Sequence, residues 1–156
     1  FDVGYHSELT VVTRAPCPVV LAAPAGHPIL RTAGPIRMED LAQARVALLH
    51  ATSGLRRLVK AAEEEAGVHL SFALRSNSVH VLINYVCCGL GVALVPASAV
   101  VGGDMRERYG IEIRSIESRA LQGAEVSLFV RRGRTLGAGS RLMLESISRH
   151  IHEILV

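Results

Sequence analysis

The sequence predicts an α/β fold built around a mostly parallel sheet. Three observations carry this expectation. Residues 19–23, 46–49 and 91–95 are continuous apolar runs, and a strand with one wet face would alternate instead, so each run reads as a strand covered on both faces. Residues 55–66 and 79–90 carry apolar side chains at helical spacing. The resulting order is strand, helix, strand, helix, strand with short connections, which is what crossover helices on a parallel sheet require.

In chain order, residues 2–5 and 9–14 read as short strands, and Pro16-Cys17-Pro18 breaks the second. Residues 19–23 form the first buried strand, and the chain turns between Pro24 and Pro28. Met38-Glu39-Asp40-Leu41 is a short helical turn, followed by the strand 46–49. A helix follows, capped by Thr52 or Ser53, with Leu55, Leu58, Val59, Ala62 and Ala66 at helical spacing and Arg56, Arg57, Lys60, Glu63, Glu64 and Glu65 on or beside the solvated face. Gly67 supplies the left-handed residue that ends it. Residues 69–75 alternate loosely as a strand. The next helix starts from Ser76-Asn77-Ser78, packs Val79, Leu82, Ile83, Val86, Cys87 and Leu90, and stops at Gly89. The strand 91–95 closes at Pro96, residues 97–101 make one helical turn, and 111–116 and 124–131 are further strands. A last helix covers 140–155, with Leu144, Ile147, Ile151, Ile154 and Leu155 on one face.

Composition narrows the function. The 156 residues are 49% apolar and 20% charged, ample for a core and unlike a disordered chain. No apolar run approaches the roughly 18 residues of a membrane span, and no charged segment leads into an apolar one as in a secretory leader. A cytoplasmic protein without membrane contact is expected. The first residue is Phe1, and residues 2–5 already read as strand, so the chain is expected to be part of a longer polypeptide. The net charge of +3 is scattered, and the densest cluster, Arg131-Arg132-Gly133-Arg134, has no interleaved aromatics, so the chain itself is not expected to grip nucleic acid. Cys17, Cys87 and Cys88 form no disulfide framework and read as reduced thiols.

Catalytic chemistry finds little support. Ser53 lacks the flanking glycines of a nucleophile elbow. Cys88 lies in an apolar helix and is expected to be a packed thiol. His150 and His152 are two apart on a helix and point to different faces, so they do not chelate together. No metal or cofactor is expected. Gly89-Leu90-Gly91 follows a helix and precedes a strand, the reverse of a dinucleotide-binding turn, and reads as a helix stop with a tight turn. Two helix starts remain, at Thr52-Ser53-Gly54 and Ser76-Asn77-Ser78. Each follows a strand of the parallel sheet, where free N–H groups and the positive dipole end suit a small anion. Ordinary capping is the competing explanation for the same residues.

The stretch Ser76 to Ser98, and above all Val86-Cys87-Cys88-Gly89-Leu90-Gly91-Val92-Ala93-Leu94-Val95-Pro96, resembles the effector-binding domain of LysR-type transcriptional regulators. Asp2-Val3-Gly4, the Gly26-His27-Pro28-Ile29-Leu30 turn and Asp40-Leu41 match in the same order. The resemblance implies a fold like type 2 periplasmic binding proteins: two lobes with mostly parallel sheets joined by two crossover strands. Lobe one would be residues 1–24 plus 127–156, lobe two residues 25–126, with crossings near 22–25 and 126–130. Lobe one would lack its first strand and helix, leaving an edge beside Val3 open to another chain. The resemblance further implies a small-molecule effector in the cleft, often anionic, held by Ser53, Gly54, Ser76, Asn77, Ser78, Pro96 and Ala97. Arg57, one turn into its helix, could reach a carboxylate but reads better as solvated. The implied parent is a dimer or tetramer that meets DNA only through an N-terminal domain absent from this chain. A solute-binding protein or an oligomerisation module of the same fold are the competing readings, and an enzyme is not expected.

Overall fold

Alternate residues of each apolar run face opposite sides of one sheet, and the two sides carry separate cores. In a computed structural model that describes residues 8–50, 54–101 and 105–155, Val19, Leu21, Ala23, Val46, Leu48, Val92 and Leu94 pack on one face. Val20, Ala22, Ala47, Ala93 and Val95 pack on the other. The runs are continuous because both faces are dry.

The strands are β1 (Leu9–Pro16), β2 (Val19–Pro24), β3 (Val46–Leu49), β4 (Phe72–Ser76), β5 (Val92–Pro96), β6 (Ile111–Ser115) and β7 (Glu125–Arg131). The helices are α1 (Met38–Ala42), α2 (Gly54–Ala66), α3 (Val79–Cys87), α4 (Met105–Tyr109), α5 (Arg119–Gln122) and α6 (Ala138–Leu155), with 3-10 turns at Pro28–Arg31 and Ala97–Ala99. The strand expected at 2–5, the cap expected from Thr52 or Ser53, and the side chains at 154 and 155 lie outside the described residues.

Five strands form one sheet in the order β4-β3-β5-β2-β6. β3 runs parallel to β4 and β5, while β2 is antiparallel to both β5 and β6. Four of the five strands therefore share a direction and β2 alone opposes them. The second sheet departs from the expected parallel character: β1 and β7 form an antiparallel pair, Leu9 opposite Arg131 and Pro16 opposite Glu125. The chain changes sheet between Pro16 and Val19 and returns between Ser115 and Glu125. The crossing expected at 22–25 thus falls within β2, whose pairing places it in the five-stranded sheet. The physical reason is the run itself, since a strand buried on both faces needs the larger sheet around it.

From β3 the chain steps outward through α2 to β4, then back past β3 through α3 to β5. Right-handed crossovers that step in opposite directions must lie on opposite faces. Accordingly Leu55, Val59 and Ala62 of α2 join one core, and Leu82, Tyr85 and Val86 of α3 join the other. Both helices end as the glycines predict. At Gly89 (φ +67°) the Leu90 N–H donates to the Tyr85 carbonyl and the Gly89 N–H to that of Val86, closing a Schellman motif.

Several side chains depart from their expected positions, Leu90 among them, which is expected to pack with α3 and is exposed. Glu63 is buried, not solvated. It stands one i+4 step from Val59, on the apolar face, and its carboxylate is fully engaged: Oε2 meets the Arg56 guanidinium at 2.7 Å and Oε1 accepts from the Leu70 N–H at 2.7 Å. Cys88 is exposed, as is Cys87. The inward side of the last turn of α3 is taken by Tyr85 and Val86, so the thiols fall outside.

The turn after β2 has its own cap. His27 Nδ1 accepts from the Ile29 N–H at 3.2 Å, starting the 3-10 turn. Burial holds the His27 pKa below the usual 6.5. A protonated Nδ1 could not accept that bond. The unfolded chain takes up the proton near pH 6.5 and the folded chain only at lower pH, so this contribution is complete above 6.5 and is lost as pH falls through the folded value. Urea titrations at several pH values should show a steeper acid loss for the wild type than for His27→Asn, which keeps an acceptor and has no titration. Equal slopes would show that the imidazole carries no such linkage.

Candidate functional site

Strand direction brings distant segments of the chain to one edge. Because β3, β4, β5 and β6 run together, Leu49, Ser76, Pro96 and Ser115 all end at the same side of the sheet, and reversed β2 begins there. The two segments that join the sheets therefore leave from this edge. They are hydrogen-bonded to each other, the Cys17 N–H donating to the Ala124 carbonyl at 2.8 Å. Ligands of open α/β sheets favour the space beyond the strand carboxyl ends, at the point where the crossovers diverge.

The sequence-predicted residues sort clearly. Ser53 lies outside the described residues. Gly54 opens α2 and is half-buried. Ser76 ends β4 beside β3, where its carbonyl accepts from the His50 N–H at 2.9 Å. Its Oγ accepts from the Ser78 N–H at 3.1 Å. Asn77 is exposed between them. Ser78 is the N-cap residue of α3, yet its side chain makes no capping bond. Ordinary capping therefore does not account for Ser78. The α3 N–H groups of residues 79–81 have no partner one turn back, the first full-turn bond being Leu82 N–H to the Ser78 carbonyl at 3.4 Å.

Pro96 is buried opposite Val19, and the Ala97 N–H donates to the Pro18 carbonyl at 2.8 Å, tying the 3-10 turn to the crossing segment. Ala97 and Val79 both pack against the core on this face of the sheet, and β4 and β5, which lead to them, end at this edge on either side of β3. α6, from the other sheet, also approaches the Ala97–Ala99 turn. The structure thus gathers Ser76, Asn77, Ser78, Pro96 and Ala97 at one edge, with Gly54 of α2 at the same edge from the opposite face. Arg57 is exposed.

Sequence reasoning missed the Arg56–Glu63 pair and the helices α4 and α5. A signal for the pair was present, since Glu63 continues the i+4 step from Leu55 and Val59. No comparable signal marks α4 or α5, which have five and four residues. Among the described residues, no helix is long and apolar enough to cross a membrane.

Two sheets joined by a pair of crossing segments, with helix starts at the joining edge, define a periplasmic-binding-protein-like architecture. Residues 1–151 match the LysR substrate binding domain family, and the chain belongs to that family. It is a family of regulatory domains of transcription factors, not of enzymes. The fold is shared by the effector binding domain of QuiR in complex with shikimate, with a TM-score of 0.76 at 15% identity, covering 99% of this chain and 71% of that one. It is shared too by the C-terminal domain of a probable LysR family regulator from Rhodococcus sp. RHA1, with a TM-score of 0.70 at 19% identity over 94% and 71% of the two chains. The CcmR regulatory domain of Synechocystis PCC6803 in complex with 2-PG has a TM-score of 0.72 at 17% identity over 96% and 70%. No curated protein sequence matches the chain.

Proposed function

We propose that this chain is the sensing part of a LysR-type DNA-binding regulator. A small anionic effector binds between a lobe built on the β1–β7 sheet and a lobe built on the five-stranded sheet, and its occupancy is passed to promoter binding by the parent protein. The observation that supports this reading best is the convergence of Ser76, Asn77, Ser78 and Ala97 on the edge from which both crossing segments leave. A ligand there touches the joint between the lobes, so it can favour one lobe angle over another, which is what coupling to a distant DNA-binding domain requires. The free N–H groups of α3 and the uncommitted Ser78 hydroxyl suit a carboxylate or phosphate.

Shikimate and 2-PG, bound by two neighbours of the same fold, are natural first probes. Calorimetry on the chain should detect an anion, and Ser78→Ala should weaken it about tenfold or more, the worth of a hydrogen bond to a charged group. Because Ser78 caps nothing with its side chain, the same variant should unfold within about 0.5 kcal/mol of the wild type. Unchanged affinity in Ser78→Ala, or silence across a panel of organic anions, would overturn the reading.

A second reading, an oligomerisation module, draws on α6, where Leu142, Met143 and Ile147 are exposed. It predicts concentration-dependent association with no ligand response. The two combine in a homodimeric or tetrameric parent, and sedimentation of the chain with and without an anion separates them.

A further inference from the structure

The opposite edge of the five-stranded sheet carries a second hollow. There β3 and β5 begin and β2 ends, and a pocket of about 560 Å³ opens between the turn after β2, the end of α1 and the α3–β5 joint. Its lining includes His27, Ile29, Asp40, Arg45 and Leu90. Strand direction separates it from the Ser76–Ala97 edge by the length of β5.

Two opposite charges line this hollow. Asp40 and Arg45 both face it, yet among the described residues neither forms an ion pair with the other or with a third group. Opposite charges that share a hollow without meeting leave room for a molecule bearing both signs. His27 is committed at Nδ1 to the Ile29 N–H, which leaves its Nε2–H to donate. Ile29 and Leu90 form an apolar wall, and Leu90 is 49% exposed there.

We propose that this hollow is a binding site for a small zwitterion, an α-amino acid with an aliphatic side chain. Its ammonium group goes to Asp40, its carboxylate to Arg45, and its side chain lies on Ile29 and Leu90. The proposal stands apart from the effector reading, since it uses none of the same residues. The site is built into the joint that leads from α3 to β5, and those two elements carry Ser78 at one end and Pro96 at the other.

The test uses L-leucine as probe, with 4-methylpentanoate and 3-methylbutylamine as half-ligands that each lack one charge. Calorimetry on the whole chain should show L-leucine binding and each half-ligand at least tenfold weaker. Asp40→Asn and Arg45→Gln should each weaken L-leucine tenfold or more, with unchanged circular dichroism because among the described residues neither side chain is held in an ion pair. Ser78→Ala should leave L-leucine binding intact. No binding of L-leucine at millimolar concentration overturns the proposal, as does equal binding of a half-ligand. Loss in Ser78→Ala without loss in Asp40→Asn also overturns it, because the ligand then sits at the other edge. The effector reading fails on different data, the response to anions at Ser78.

Discussion

Gly91→Ala is expected to lower stability by about 3 kcal/mol or more, the upper end of the cost of overpacking a core. Gly91 begins the chain's return from α3 into β5. A Cβ there would overlap the Arg45 carbonyl oxygen and stand 2.7 Å from Tyr85 Oη. Neither neighbour can yield cheaply. The Arg45 carbonyl already accepts the Val92 N–H at 3.0 Å, which aligns β5 beside β3, and Tyr85 is buried in the α3 core. In a chain of this size such a loss lowers Tm by roughly 6–12 °C. Gly89→Ala is the matched control. It meets open space, so only its left-handed backbone is strained, at about 1–2 kcal/mol. Thermal unfolding of the two variants, followed by circular dichroism, should rank them in that order. The reverse ranking would show that the α3–β5 joint separates easily from Arg45.

Glu63→Ala should cost about 3–5 kcal/mol, the usual loss when one partner of a buried ion pair is removed. The carboxylate is 6% exposed and the Arg56 side chain 23%. Truncation leaves the Arg56 guanidinium without its main counter-charge and the buried Leu70 N–H without an acceptor. Arg56 also lies over the Phe72 ring, 5.0 Å from its centre, so the pair braces the start of β4 as well as α2. Glu63→Gln keeps an acceptor for Leu70 while removing the charge, so it should cost clearly less. Contact with His69 at 3.4 Å adds little, because that ring is 86% exposed. Urea unfolding of the two variants measures the difference. Equal losses would mean that charge, and not the hydrogen bond to Leu70, carries the whole effect.

Much of this molecule can be read along the chain. The runs at 19–23, 46–49 and 91–95 are strands, the spacing of Leu55, Val59 and Ala62 makes one helix and that of Leu82 and Val86 another, and Gly67 and Gly89 stop them. These features depend on neighbours within about five residues, through backbone sterics and the 3.6-residue period. The ordered motifs from the His27-Pro28 turn to Pro96 also pointed to the LysR substrate binding domain family, to which the chain belongs.

Other features have no local cause. The antiparallel β1–β7 pair, the reversal of β2 within its sheet and the early change of sheet at Pro16–Val19 all arise from pairing partners far apart in sequence. The burial of Glu63 depends on Arg56 and on a loop N–H seven residues ahead, and the exposure of Cys88 on how α3 is rolled against the sheet. Likewise, nothing local ties Ser78 to Ala97. Parallel strands set them at one edge, and the same geometry puts Asp40 and Arg45 in a hollow at the other. Periodicity shapes each element because its forces are short-ranged. Which elements meet, and what gathers between them, is settled by long-range packing of two dry sheet faces.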